Sequence, residues 1–191
     1  RHRGVTMAAP PPPPVRVPPR PSFAARPRRM AAIAALRGAT PPGRAGATVV
    51  DLGCGDAANL LALAAEHPGI AAIGIDPSAE ALDRAQALAA DAGLTNVTLI
   101  EGVVAPLDDV AADFVICSDV LSFLEADARA AILAEALLRT RRGGLVLLSY
   151  DAIPGAVGRV LTRSIGRRAA AGAIAAGDAD ATRIAVVSAL H

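Results

Sequence analysis

The sequence predicts an α/β fold, a doubly wound and mostly parallel open sheet. From Ala47 to Ser149 short runs rich in Val, Ile and Leu alternate with longer segments of helical periodicity, an order that implies parallel strands joined by right-handed crossovers. The unusual residues, Asp51, Gly53, Gly55, Asp76, Asp119 and Tyr150, fall at the carboxyl ends of the expected strands or just beyond them, where open α/β sheets bind ligands. Of the 191 residues 53% are hydrophobic but only 2% aromatic, and alanine takes the largest share, which points to helices packed through small side chains.

The elements follow in order. Residues 1 to about 22 hold Pro10 to Pro14, Pro18, Pro19 and Pro21 with arginines between them, and are expected to be a disordered or polyproline arm. Residues 23–191 are expected to form the single folded domain. Met30, Ile33, Ala34 and Leu36 mark a short amphipathic helix from Pro27 to Arg37, stopped by Gly38 and Pro41-Pro42-Gly43. Strand one is expected over Ala47–Leu52, then a helix over Ala57–Glu66 with Leu60, Leu61 and Leu63 on one side. Strand two covers Ile70–Ile75 and ends at Asp76; the next helix, Ser78–Ala92, buries Leu82, Ala85, Leu88 and Ala89. Val97–Ile100 is strand three, Phe114–Cys117 strand four, Asp127–Arg141 a helix and Leu145–Ser149 strand five. Beyond Asp151, Val157–Ala176 is read as helical and Arg183–Leu190 as a sixth strand.

Composition excludes several classes. Charge is nearly balanced at +1, which makes no electrostatic case for nucleic acid or an anionic membrane. No charge-free apolar run reaches the ~20 residues of a membrane span. Cys54 and Cys117 at the ends of buried strands fit a reducing, cytoplasmic setting rather than a disulfide framework. The three histidines, His2, His67 and His191, lack ligand spacing, so no metal site is expected. The chain begins without methionine, and Met7 and Met30 are both conceivable starts.

The chemistry concentrates in Val49-Val50-Asp51-Leu52-Gly53-Cys54-Gly55-Asp56, a strand running into a glycine turn. Glycines permit close approach of a ligand to the backbone, and the helix that follows offers free N–H groups to an anionic end. Gly53 to Ala58 also satisfies the loose dinucleotide pattern G-x-G-x-x-G/A, with Asp76 23 positions after Gly53. Charge separates the two readings: Asp51 and Asp56 flank the turn with no basic residue near them in sequence, so a diphosphate meets repulsion there. The same carboxylates favour S-adenosylmethionine, which carries a sulfonium, an ammonium and a carboxylate. Asp76 suits two ribose hydroxyls, although it also suits capping of the next helix, and the two roles are compatible. Asp51 could instead be a structural acid that ties down the turn, and Cys54 a small packing residue whose sulfur is inert.

The run VVDLGCGDAANLLALAAEHPGIAAIGIDPS, followed by GLTNVTLIEG, DFVICSDVLSFL and RRGGLVLLSYDAIPG, resembles the class I S-adenosylmethionine-dependent methyltransferases, whose fold is Rossmann-like. The resemblance spans about residues 21 to 155 and is greatest to bacterial proteins in which this domain precedes a methyltransferase regulatory domain, a domain absent from this sequence. It implies that Asp51, Gly53 and Gly55 hold the methionine part of the cofactor and Asp76 the ribose, with Cys54, Asn59 and Pro77 as further cofactor-binding positions. Gly102 and Val103 fall beside the adenine, and Ser118 within a transfer region from Cys117 to Leu121. Phe123 suits either the adenine or the core.

Three departures from the family pattern stand out. The third glycine of its D-x-G-x-G-x-G turn is Ala57, accommodated if that residue already belongs to the helix. The acid expected beside the adenine is replaced by Val103, with Glu101 the nearest substitute. The closing antiparallel hairpin must come from Ala152–His191, which holds one more strand comfortably and two with difficulty, so the hairpin is expected to be incomplete or missing. Either the chain is truncated at its C-terminus or it is a minimal version.

Methyl transfer is an in-line displacement, and a general base is needed only if the nucleophile arrives protonated. Asp119 is the first candidate for that base and Tyr150 the second; capping of the next turn is the alternative role for Asp119. The expected function is thus S-adenosylmethionine-dependent methyl transfer to an unidentified acceptor, a protein side chain or a small metabolite. The alternative is a non-catalytic S-adenosylmethionine-binding module or truncated paralogue, and a nicotinamide-dependent oxidoreductase comes third. Neither the acceptor nor the oligomeric state is encoded legibly.

Overall fold

A computed structural model describes residues 21–103, 110–178 and 181. Residues 19–151 form one compact unit that contains the whole sheet. The order is helix α1 (Pro27–Leu36), strand β1 (Thr48–Leu52), α2 (Ala58–Glu66), β2 (Ala71–Asp76), α3 (Ala79–Asp91), β3 (Val97–Glu101), β4 (Ala112–Cys117), a short 3-10 turn at Leu121–Phe123, α4 (Ala126–Arg139) and β5 (Thr140–Leu148). The five strands pair in the order β3-β2-β1-β4-β5, every pair parallel. The predicted doubly wound sheet is therefore present, and among the described residues no antiparallel strand is added to it.

The central strands read as continuous apolar runs because both of their faces are covered. All six residues of β4 are buried, as are four of the five in β1. Alternation along β1 divides the core: Val49 joins Leu60, Leu63, Ala85 and Phe114 on the α2–α3 side, whereas Val50 and Leu52 join Ile75, Val115, Ile132 and Ala136 on the α4 side. Each buried Leu or Ile contributes about 1.5–3 kcal/mol relative to exposure. Asp51 follows the parity of Val49 and so faces α2.

Chain direction creates the ligand crevice. From β1 the chain winds outward through β2 and β3, then returns to lay β4 on the opposite side of β1. The carboxyl ends of β1 and β4 are thus neighbours at the switch point, with Asp51 in register with Ile116.

Two expectations about element boundaries are corrected. The helix expected to reach Arg141 stops at Arg139, because Thr140 turns extended (φ −81°, ψ 118°) and its Oγ1 donates back to the Ala136 carbonyl at 2.6 Å. Strand β5 begins there rather than at Leu145, and its register against β4 shifts between Ala112 and Phe114. The Arg141 guanidinium pairs with the buried carboxylate of Asp113, whose other oxygen accepts the Thr48 N–H at 2.8 Å, so one acid ties the starts of β1 and β5 to β4.

A second compact unit includes residues 152–178. It carries α5 (Val157–Ala169) and α6 (Ala171–Ala175), separated at Ala170 where one continuous helix was expected. The sixth strand expected over Arg183–Leu190 and the arm over residues 1–20 lie outside the described residues. Among the described residues no helix is long and apolar enough to cross a membrane.

Candidate cofactor and methyl-transfer site

A cavity of about 150 Å³ opens at the switch point, lined by residues that include Asp51, Gly53, Asp56, Asn59, Ser118 and Asp119. The turn above β1 is shaped by the chain itself. Gly53 and Cys54 both donate to the Ile75 carbonyl, at 2.8 and 3.1 Å, which pulls the turn over the end of β2. Gly53 holds φ +75°, and a Cβ there would collide with the Val120 side chain. Only glycine fits, for conformation and for space alike.

Asp76 closes the turn from the other side. Its Oδ2 accepts the Gly55 N–H at 2.8 Å and its Oδ1 accepts the Ser78 N–H at 2.9 Å. Ser78 caps α3 by accepting the Ala81 N–H. The capping role expected of Asp76 thus falls to Ser78, and Asp76 instead holds the Ser78 N–H and tethers the glycine turn. Each carboxylate oxygen keeps a further lone pair for ribose hydroxyls.

Asp51 is 5% exposed and accepts a hydrogen bond from the Asn59 side chain, whose Oδ1 in turn accepts the Ser22 main-chain N–H at 3.0 Å. Burial pushes the Asp51 carboxyl up to about 7; the Asn59 bond pulls it back, and the Asp76 charge adds to the rise. Burial thus disfavours the charged form of Asp51, and a bound cation would favour it.

Ala57 also departs from expectation. Instead of belonging to α2 it precedes the helix as N-cap in the left-handed region, φ +54°, where the family pattern has glycine. It gives α2 no capping side chain, so the first-turn N–H groups beside Ala58 and Asn59 keep their capacity for an anion. Cys54 behaves as a packing residue: its Sγ fills the space beside Gly74, where a Cβ would lie 2.8 Å from it. Burial raises its thiol well above the ordinary range, and pushes Cys117 up to about 11.

On the opposite lip, Asp119 is exposed with φ +60° and is held by Ser149. The Ser149 Oγ accepts the Asp119 N–H at 2.7 Å and donates to Asp119 Oδ1 at 3.1 Å, while Ser118 Oγ lies 3.3 Å from it. Asp51, Gly53, Cys54, Asn59, Ser118 and Asp119 thus share one cavity; Asp76 does not line it and is joined to its glycine turn through the Gly55 N–H. Pro77 is exposed between Asp76 and Ser78; the Gly102 N–H donates to the Asp76 carbonyl at 3.0 Å and Val103 is exposed beside it. Glu101, at the end of β3, is exposed and in register with Asp76. Tyr150 is not brought in: it lines a separate cavity with Leu121, Ser122, Arg129, Leu133 and Leu148. Phe123 is 60% exposed, which excludes core packing for it.

Sequence reasoning missed two residues. Ser22 was assigned to the proline-rich arm yet reaches Asn59, and nothing in its local pattern reveals this. Ser149 stands at the end of β5, next to β4, and the strand-end rule that singled out Asp119 and Tyr150 applies to it equally. Among the described residues no group of three or more His, Cys, Asp or Glu side chains is arranged to hold a metal ion.

Sheet order, switch-point cavity and glycine turn together define a class I nucleotide-cofactor α/β domain of the methyltransferase type. Residues 49–144 match the family model described as "Methyltransferase domain", and the chain belongs to that family. Among curated proteins it is 29% identical over 125 residues to an uncharacterised protein of Rickettsia prowazekii (strain Madrid E), covering 64% of this chain and 50% of that protein. Among solved structures it resembles PKMT2 from Rickettsia typhi in complex with AdoHcy, with TM-score 0.73, 27% identity and coverage of 79% of this chain and 29% of that one. An O-methyltransferase family protein from Burkholderia thailandensis shares the fold, with TM-score 0.54, 21% identity and coverage of 64% and 38%. The chain spans half the length of the first relative and under a third of PKMT2.

Proposed function

We propose that this chain binds S-adenosylmethionine at the switch-point cavity and transfers its methyl group to a protein side chain. The observation that carries the reading is the pairing of a buried Asp51 with the uncapped start of α2 in one cavity: an acid for an ammonium and N–H groups for a carboxylate, the two ends of an amino acid. The cavity volume of about 150 Å³ suits that amino-acid portion, and Asp76, bonded to the Gly55 N–H of the turn, suits the ribose. Family membership and the likeness to a domain solved with AdoHcy support the same donor.

Bound there, the donor supplies a methyl group on a positively charged sulfur. The chain's own contribution is positional. Asp51 and Asn59 orient the amino-acid end, the Gly53–Gly55 turn lets the backbone come close, and Asp119 on the far lip can take a proton from an arriving amine or hydroxyl. A polypeptide acceptor is favoured over a small metabolite because Asp119 is exposed and neighbouring Phe123 is 60% exposed, so a large acceptor can approach that lip. A binding module without transfer is the second reading, favoured by Val103 standing where the family places an acid.

The test is incubation of the purified chain with a donor labelled in its methyl group and a bacterial lysate. Label in acid-precipitable protein supports the proposal. Label only in small soluble products overturns the polypeptide acceptor, and calorimetric binding of S-adenosylhomocysteine with no label anywhere favours the binding module.

A further inference from the structure

We propose that a second cavity, between the start of α1 and the end of α2, docks a carboxylate-rich segment of the methyl-accepting polypeptide; this rests on the polypeptide acceptor proposed above. The cavity measures about 660 Å³ and is lined by Phe23, Arg26, Arg28, Arg29, Arg44 and Glu66, among others. Arg26 is engaged with Glu66, and Arg29 lies over the Phe23 ring at 4.8 Å. Arg28 and Arg44 are exposed, and the described ion pairs leave them without an acid. Three positive charges are thus in excess around one concavity whose walls also include the apolar Ala32 and Leu63.

The sequence from which most of the lining comes is itself basic: residues 21–50 hold five arginines and no acid. The first 50 residues hold nine arginines and no acid, while the remaining 141 hold ten arginines against 18 acids. The overall charge of +1 therefore conceals an uneven distribution along the sequence, and the arginines of the cavity come from its basic part. Guanidinium forks pair with carboxylates bidentately, and the apolar walls accept a neighbouring aliphatic side chain. That mixture favours an acidic peptide over a nucleic acid backbone, which needs a long basic track rather than one concavity.

Placement links the cavity to the methyl-transfer site. Ser22 lines the switch-point cavity and the adjacent Phe23 lines this one; Asn59 and His67, near the two ends of α2, do the same. Eight helical steps separate Asn59 from His67, about 12 Å, which an extended peptide covers in about four residues. The acids of the acceptor should therefore stand about four or more positions from the residue that is methylated.

The experiment uses a fluorescein-labelled peptide of six glutamates around one leucine, a glutamine version of it, and a single-stranded DNA of equal charge. Anisotropy is measured with the wild type, Arg28→Ser/Arg44→Ser and Arg28→Lys/Arg44→Lys. We expect the glutamate peptide alone to bind, its affinity to fall with added salt, and the serine pair to weaken it about tenfold while the lysine pair retains most of it. Thermal melting and S-adenosylhomocysteine binding should be unchanged in both variants, since the two side chains are exposed. Equal binding of the glutamine peptide, tighter binding of the DNA, or indifference to the serine pair overturns the proposal. Labelled proteins whose yield ignores the serine pair overturn the docking surface alone; arginine-dependent peptide binding with no methyl transfer overturns the acceptor reading and leaves an acidic-peptide surface standing.

Discussion

The Gly55 main-chain N–H donates a 2.8 Å hydrogen bond to Asp76 Oδ2, so the acid that ends β2 also fixes the glycine turn that ends β1. One side chain thereby shapes the two halves of the cofactor crevice. Asp76→Ala should weaken S-adenosylhomocysteine by about 10- to 100-fold, because it removes the ribose acceptor and frees the turn together. Asp76→Asn should fall between, since it keeps one acceptor oxygen. Calorimetry decides, and an alanine variant within threefold of wild type would falsify the assignment.

Asp51 gives a pH dependence of defined sign. Its carboxyl is raised from an ordinary 3.8 to about 7, so between those values the folded chain holds a proton that the unfolded chain has lost. Stability should then fall as pH rises from about 4 to about 7 and level off above, by an amount on the order of 4 kcal/mol. Asp51→Asn keeps the size and the acceptor for Asn59 but cannot ionise, and should abolish that slope and be the more stable protein at pH 8. Donor binding runs the other way, since an ammonium favours the ionised form: S-adenosylhomocysteine affinity should rise across the same interval, with a proton released on binding. Denaturant melts at several pH values, with calorimetry in two buffers, read both effects. A flat wild-type profile would remove the buried-acid argument.

The strand-helix alternation was legible because central parallel strands, covered on both faces, must be continuously apolar, and because Gly53, Asp76 and Ser78 carry their backbone roles in their chemistry. What the sequence concealed depends on geometry between distant segments. Thr140 ends α4 early because its hydroxyl reaches back to Ala136 and Arg141 finds Asp113, neither of which a helical period records. Ala57 follows the same rule in reverse: alanine is a helix former, yet the turn forces it to φ +54°, at about 1–2 kcal/mol. The raised proton affinity of Asp51 is hidden for another reason, since burial is a property of the assembled core and not of the motif.

The contact between the glycine turn and the β4 lip is open to a double-mutant cycle. Gly53→Ala places a methyl against Val120 and forces an L-residue to φ +75°. The backbone part should cost about 1–2 kcal/mol and the collision should add to it. Val120→Ala in the same chain should recover the collision but not the backbone part, giving a coupling of about 1 kcal/mol. Equilibrium unfolding of the four proteins measures it, and strictly additive effects would show that the two lips do not touch.

Ser149 controls Asp119 without lining the cavity. Its hydroxyl makes two of the hydrogen bonds that hold Asp119 at φ +60°, so Ser149→Ala frees a solvent-exposed acid rather than a buried one. The stability cost should be small, about 0.5–1.5 kcal/mol. If Asp119 receives the acceptor's proton, the positional loss should appear in turnover: single-turnover methyl transfer should slow about tenfold with donor affinity unchanged. Ser149→Thr, which keeps the hydroxyl, should restore most of the rate. Asp119→Asn should slow transfer further, whereas a purely structural role for the lip would leave the rate unchanged. Unaltered transfer in Ser149→Ala and Asp119→Asn alike would take Asp119 out of the reaction and leave it as a turn residue on the rim of the crevice.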